Sequence, residues 1–458
     1  MSTYMEMTQG TPTSDRKFTY SGWIKKSAPN ASGDEQHIFS AGSSGDSHYN
    51  GIRFKTTGKL HINFDSTTPG TTTELIPTAL FRDPGAWYHI VLAVDTEQSV
   101  STDRMKLYIN GVQETVFDTA VYPPEDHDCG FMASGKKMVL GRQASGSSQY
   151  FNGDMSWVQF VDGLQLAPTE FGEVDATAGI WKIKPTAYAT PGDNGFCLKM
   201  EDRTNLDLDS SSNAHTFTSG GTPTATYDNP SNNFATLNLL DGNIINSGGL
   251  LNGGTTYNKS TTGAGYNTTC LSTLAVSSGK WYWESKMADA SAIVSGFMNT
   301  DHGAYNGNWN LFNVNANDGW GWYGTNGTRY VGTTATTSYF NTFTTNDIIS
   351  FALDLDNGKC YAAKNGVWEN SGDPTSGATG TGSFADITTA STFFLTPALT
   401  NNNYAVASKV YYNFGNGYFG DTAVSSAEAD DAGIGAMEYD VPAGYYCLCT
   451  KNIKAYGG

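Results

Sequence analysis

Three groups of residues in this chain could do chemistry: a short acidic run, a few aspartates in loops, and a crowd of aromatic rings. Glu173-Val174-Asp175-Ala176-Thr177-Ala178 opens like the E-x-D-x-E or E-x-D-x-x-E strand of a retaining glycoside hydrolase, whose two carboxyls stand about 5–5.5 Å apart. The position that should carry the acid is Thr177 or Ala178, so the constellation is incomplete. No G-x-S-x-G elbow, P-loop or H-E-x-x-H is found. The seven histidines are scattered, and His89, inside an alternating stretch, reads as a structural histidine. The expectation is a protein that is not an enzyme.

Calcium takes roughly six to eight oxygen ligands. Asp95, Asp154 and Asp162 in the first half, and Asp354 and Asp356 in the second, are the candidates for it. Asp354-Leu355-Asp356-Asn357-Gly358 is equally what a hairpin turn requires, because Asp and Asn side chains cap turns. No other cofactor is implied. The aromatic crowd is YNGNWNLFNVNANDGWGWYGTNGTRY, with Trp309, Trp320, Trp322, Tyr323 and Tyr330 among Gly and Asn. Flat rings can stack on sugars while amides and backbone groups bond hydroxyls in a concave site. Trp320 and Trp322 alternate and should share one face in the core. Trp309 and Tyr330, beside turn residues and with Asn308 and Asn326, are the candidate ligand-binding set.

The elements that must hold these residues are short strands. Lys17–Lys26 alternates as a half-buried strand does. Similar pieces recur at 38–41, 52–56, 59–64, 87–95, 105–109, 137–140 and 155–160, separated by Gly-, Asn- and Asp-rich turns. In the second half they fall at 280–286, 292–298, 319–323, 348–354, 359–364, 393–399, 409–414 and 444–450. Asn110-Gly111 and Asn365-Gly366 are type I′ hairpin signals, which need positive φ at both positions. One helical turn is expected within 164–173, after Pro168. The reading is an all-β chain of two antiparallel sandwiches, 1–185 and 265–458. Between them lies a connector, 186–264, rich in Asp, Asn, Ser and Pro, with apolar anchors at Phe196, Leu198, Leu206, Phe217 and Phe234.

Composition supports this and excludes other classes. At 458 residues the chain is longer than one hydrophobic core usually serves. Charged residues make up only 15%, while Gly (52), Tyr (25) and Phe (23) abound, which suits strands and tight turns. A net charge of −18 disfavours binding to nucleic acid or anionic lipid. No apolar run reaches the length of a membrane span, and the first 17 residues do not read as a secretory signal. The cysteines at 129, 197, 270, 360, 447 and 449 read as unpaired core residues, with Cys447 and Cys449 on one face of a strand. Synthesis in a reducing cytosol is the expectation.

At this point the motifs resemble known families. Phe18-Thr19-Tyr20-Ser21-Gly22-Trp23-Ile24-Lys25, Trp87-Tyr88-His89-Ile90-Val91, Leu107-Tyr108-Ile109-Asn110-Gly111 and Phe151-Asn152-Gly153-Asp154-Met155 resemble a laminin-G-like, concanavalin-A-type jelly roll over roughly 15–185. Gly279-Lys280-Trp281-Tyr282-Trp283-Glu284, the stretch from Asp347 to Asp354, Lys364-Asn365-Gly366 and Tyr412-Asn413-Phe414-Gly415 resemble a SPRY (B30.2-like) sandwich over roughly 265–450. The connector pieces Lys184–Tyr188, Asp193–Phe196 and Asp228–Asn238 look like virion proteins of tailed phages.

That last resemblance implies a virion structural protein, a tail-fibre or appendage component that touches host surface glycan or protein. It implies other virion proteins as partners, a homo-oligomer (a trimer if a fibre), and no nucleic acid or membrane insertion. A capsid decoration or adaptor protein with purely structural contacts is the alternative, and a glycoside hydrolase the remote one.

Overall fold

The computed structural model describes residues 3–27, 35–43, 50–65, 72–177, 179–242, 248–259, 268–300, 312, 319–387, 394–403 and 405–457. It is all-β, built from antiparallel sheets that pair up as sandwiches. The chain divides into two compact units. The first is Met1–Arg82 with Ala86–Ala225; the second is Thr226–Gly458 with the tripeptide Asp83–Gly85. The division falls at 225/226, inside the 186–264 segment.

In the first unit an eight-stranded sheet runs in the order Phe117–Val121, Thr72–Pro77, Leu60–Asp65, Asn50–Phe54, Gln36–Gly42, Lys137–Leu140, Tyr4–Thr8 and Thr218–Gly220. A six-stranded sheet runs Phe196–Leu198, Gly153–Asp162, Lys17–Lys26, Trp87–Asp95, Met105–Ile109 and Val112–Gln113. Strand alternation sends Phe18, Tyr20 and Ile24 from one sheet against Phe39, Ile52 and Ile62 from the other. Tyr20 stacks on Phe39 with ring centroids 5.0 Å apart. The Asn110-Gly111 tip has φ of 49° and 80°, the left-handed pair that a type I′ hairpin demands. Asn365-Gly366 repeats this at 50° and 78°.

The second unit pairs a seven-stranded sheet with a nine-stranded one. The first runs Leu237–Gly242, Thr268–Ser272, Leu395–Asn401, Ile293–Asn299, Gly319–Tyr323, Thr328–Val331 and Thr334–Thr336. The second centres on Ser408–Asn413, Lys280–Asp289, Ile348–Asp354 and Lys359–Lys364. Its core holds Trp281, Trp283, Phe297, Trp320, Trp322 and Phe351, so Trp320 and Trp322 do share a buried face.

Two expectations need correcting. Lys17–Lys26 is not half-buried; nine of its ten residues are buried, because irregular chain covers its outward face as well. The last strand is shorter than 444–450: Tyr446–Cys447 pairs, and Thr450–Tyr456 then forms a helix. The helical turn after Pro168 is present as a short 3-10 helix, Pro168–Glu170.

What holds irregular chain against the sheets is a set of buried carboxylates. A buried anion is tolerable only when hydrogen bonds replace its water. Asp162, a candidate calcium ligand by sequence, instead accepts the backbone N–H of Thr13 (2.8 Å), Ser14 (3.2 Å) and Asn194 (3.0 Å). Asp209 accepts from the N–H of Cys197, Ser211 and His215. With these latches in place the anchors Phe196, Leu198 and Phe217 join the first unit's core.

In the second unit Glu284 is fully buried. It accepts from the N–H of Glu438 (2.8 Å) and Tyr439 (3.0 Å), from the Tyr282 hydroxyl (3.0 Å) and from the Asn413 amide (3.2 Å). Burial still outweighs these donors and raises the carboxyl to about 7. The sign follows. The folded chain keeps a proton that the unfolded chain releases near the ordinary carboxylate value, so this contribution is complete below about pH 4.5 and is lost as pH rises through 7. The second unit should therefore lose up to about 3 kcal/mol between pH 4.5 and 7.5, read as a falling thermal midpoint. Glu284→Gln should flatten that slope; an unchanged slope in the variant refutes the assignment.

Candidate functional site

On the outward face of the first unit's larger sheet, strand register lines up a polar row. His37, Arg53 and His61 are direct cross-strand partners on three adjacent strands. One residue pair along, Ser40, Gly51, Asn63 and Glu74 form a second row. Gly51 has to lack a Cβ, since one would stand 2.8 Å from His37 Nδ1.

The Arg53 guanidinium ties the rows together. Its Nε lies 2.5 Å from Glu35 Oε2, and its Nη1 donates to Asn63 Oδ1. His61 Nε2 sits 2.6 Å from Glu74 Oε1, with Lys55 Nζ 3.9 Å from the same oxygen. His37, Arg53, His61 and Asn63 are buried, whereas the rim side chains Glu35, Lys55 and Glu74 stay 29, 32 and 26% exposed. Burial and the Arg53 cation hold the His37 imidazole neutral, lowered to about 3. The arrangement offers directional donors and acceptors rather than a nucleophile or a proton relay. Sequence reading passed over it because its members are far apart along the chain. The signal that could have found it is a cation or imidazole on the non-core parity of three neighbouring strands, HIFSA, IRFK and LHINF.

His89 lies on the outward face of the other sheet. Trp181 Nε1–H donates to its Nδ1 (2.9 Å), so the neutral ring carries its proton on Nε2 and donates to Ser21 Oγ (2.8 Å). The ring is stacked on Trp23 at 4.8 Å, and burial lowers it to about 3. It is a satisfied structural histidine.

The acidic run is equally occupied. Glu173 lies in a two-stranded hairpin, Gly172–Val174 with Trp181–Ile183, and Asp175 directly follows it. Lys182 Nζ lies 3.3 Å from Glu173 and 3.2 Å from Asp175.

The candidate calcium ligands are not gathered. Asp95 accepts from Glu97 N–H (3.0 Å) and the Gln98 amide (2.7 Å). Asp354 is bonded by Lys280 (2.9 Å) and twice by Asn357, and Asp356 by the N–H of Gly279 (2.8 Å). These are turn and clamp roles. Asp154 lies apart on Gly153–Asp162, opposite Lys25. Among the described residues no three histidines, cysteines or carboxylates group as a metal ion needs.

Of the ligand-binding set, Asn308 and Trp309 lie outside the described residues. Asn326 is exposed, with its side-chain oxygen accepting from the N–H (3.1 Å) and hydroxyl (2.6 Å) of Thr328, a turn bond. Tyr330, a candidate ligand-binding residue by sequence, is not open to solvent. Opposite Gly321 in register, it packs with Leu271, Val294, Met298, Phe312 and Ala398 and is only 9% exposed. Glycine is needed at 321, because a Cβ there would come 2.7 Å from the Phe312 ring.

Residues 2–170 match the family model of the Concanavalin A-like lectin/glucanases superfamily. No curated protein matches the chain. Among solved structures, the SPRY domain of human HERC1 is similar at 16% identity and TM-score 0.27, over 34% of this chain and 87% of that one. A human SPRY domain gives 16%, TM-score 0.26, and 35% and 91% coverage. A heptameric SAP-like pentraxin from Limulus polyphemus gives 16%, TM-score 0.27, and 36% and 71%.

Because Tyr330 is packed, Tyr330→Ala should lower stability by about 3 kcal/mol, as truncation of a buried ring does. A denaturant titration in which the variant keeps the parent midpoint would contradict this placement.

Proposed function

Taking the concanavalin A-like sandwich matched over residues 2–170 as its premise, we propose that the chain is a non-enzymatic recognition protein of a tailed-phage virion. In this reading it is part of a tail fibre or other surface appendage, binds host surface glycan, and assembles with other virion proteins as a homo-oligomer, a trimer if it is a fibre. The observation that carries recognition is the partly exposed rim Glu35, Lys55 and Glu74, held in place by the buried row His37, Arg53, His61 and Asn63. Carboxylate and ammonium groups fixed by a buried polar row suit the hydroxyls of a sugar, where a few well-placed polar groups set orientation. Support for a non-enzymatic role comes from how the acids are used. Glu173 and Asp175 share Lys182, and Asp162, Asp209 and Glu284 bind backbone N–H groups. The reading assigns no cofactor. The place on a virion rests on the resemblance of the connector motifs to those of tailed-phage virion proteins.

The test uses the rim, whose side chains can change without opening the fold. An array of bacterial surface polysaccharides, probed with the purified chain, should show retention that Glu74→Gln and Lys55→Ala each weaken about tenfold (~1.4 kcal/mol). The thermal midpoint should stay within a degree or two of the parent. If no polysaccharide is retained, or both variants bind as the parent does, this face is not a glycan site. Antibody labelling of phage particles seen by electron microscopy tests the virion role separately: label at the tail supports the appendage, and label over the head supports capsid decoration instead.

A further inference from the structure

We propose that Cys447 and Cys449 form a redox pair that closes into an intrachain disulfide when the second unit meets a small disulfide oxidant. The geometry starts from strand parity. Tyr446–Cys447 pairs in parallel with Lys280–Asp289, placing Cys447 opposite Tyr282, and Cys449 bridges to Phe234. Leu448 between them points into the main core. Both cysteines face the other way, into a separate cluster with Phe234, Tyr282, Met437 and Tyr445.

In an extended strand, alternate Cα atoms are about 6.6 Å apart, two rises of roughly 3.3 Å. That is near the upper limit of the roughly 4.4–6.8 Å span a disulfide bridges. Here the N–H of Cys449 donates to the carbonyl of Cys447 at 3.0 Å, which contracts the tripeptide below the strand value. All six cysteines are free thiols, and among them only these two stand at alternate positions.

The two sulfurs are also chemically unequal. The neighbouring Cys447 thiol holds the Cys449 thiol below its ordinary value. Burial keeps Cys447 well above its own, and its S–H donates to the Ile434 carbonyl at 3.9 Å. The Asn452 amide donates to Cys447 Sγ at 3.3 Å, a contact that offsets part of the burial. A thiolate is the attacking species in exchange, so Cys449 is the nucleophile and Cys447 the resolving thiol. Cys129, Cys197 and Cys360, each raised by burial, serve as internal controls.

With oxidised glutathione the steps balance. The Cys449 thiolate attacks one glutathione sulfur, the S–S bond breaks, and one glutathione leaves as thiolate. Cys447 passes its proton to the departing base and attacks the Cys449 sulfur, and the second glutathione is released. Two protein thiols are oxidised to a disulfide, and one disulfide is reduced to two thiols. Both sulfurs are buried, so entry follows local opening of the segment around 446–449.

The experiment incubates the folded chain with oxidised glutathione, quenches with acid, and reads intact mass and peptide maps. The parent should lose two hydrogens, mapped to residues 447 and 449, and carry no glutathione. Cys447→Ser should retain one glutathione on Cys449, having lost the resolving thiol, while Cys449→Ser should carry none. Alanine at the same positions is the second set, preserving the apolar surroundings if serine perturbs the fold. A parent that stays fully reduced, a parent that keeps glutathione on Cys449, or a bridge to any of the other four cysteines would overturn the pair.

Discussion

A carboxylate taken out of water must find several donors, and backbone N–H groups in irregular chain must find acceptors; in this protein the two needs meet. Asp162 and Asp209 in the first unit, and Glu284 and Asp430 in the second, each accept from backbone donors on segments that belong to no long strand. Asp430 alone takes the N–H of Ala432, Ile434 and Cys447 and the Asn452 amide. A sandwich needs its strands for one core only. These latches let non-strand segments lie down on the sheets with the N–H groups they bind satisfied.

The consequence is that outward faces of these sheets are largely closed. In the first unit Trp181 lies over His89 and Ser21 on one sheet. The other sheet carries the row around Arg53, where polar side chains answer one another across strands. In the second unit Phe312, Tyr330 and Met298 fill the outer side of the seven-stranded sheet, and Tyr282, Met437 and Cys447 that of the nine-stranded one. Among the described residues, what these sheets leave exposed is mainly rims and row edges.

How much of this was readable in advance depends on the range of the interaction. Asn110-Gly111 and Asn365-Gly366 announce themselves because a type I′ turn needs positive φ within two residues. Trp320 and Trp322 could be assigned to the core by parity alone. Tyr330 could not be placed so, because what covers it, Phe312 and the bare backbone at Gly321, is set by register between strands. Asp162 shows the same limit: by sequence it is a candidate calcium ligand, and only the fold reveals that its oxygens accept the N–H groups of Thr13, Ser14 and Asn194.

Local order along the chain is enough to specify the class of fold: short alternating strands, turns of fixed chemistry, two sandwiches' worth of aromatic core, and apolar anchors at 196, 198 and 217 along the connector. It determined these because each is a local matter of periodicity, dihedral preference or burial. The tertiary structure alone decided which acids are latches, which rings are buried, and that His37, Arg53 and His61 stand side by side. Those facts depend on which strands pair and in what register. A shift of one residue would turn every side chain to the opposite face, and nothing local to any one strand encodes its partner.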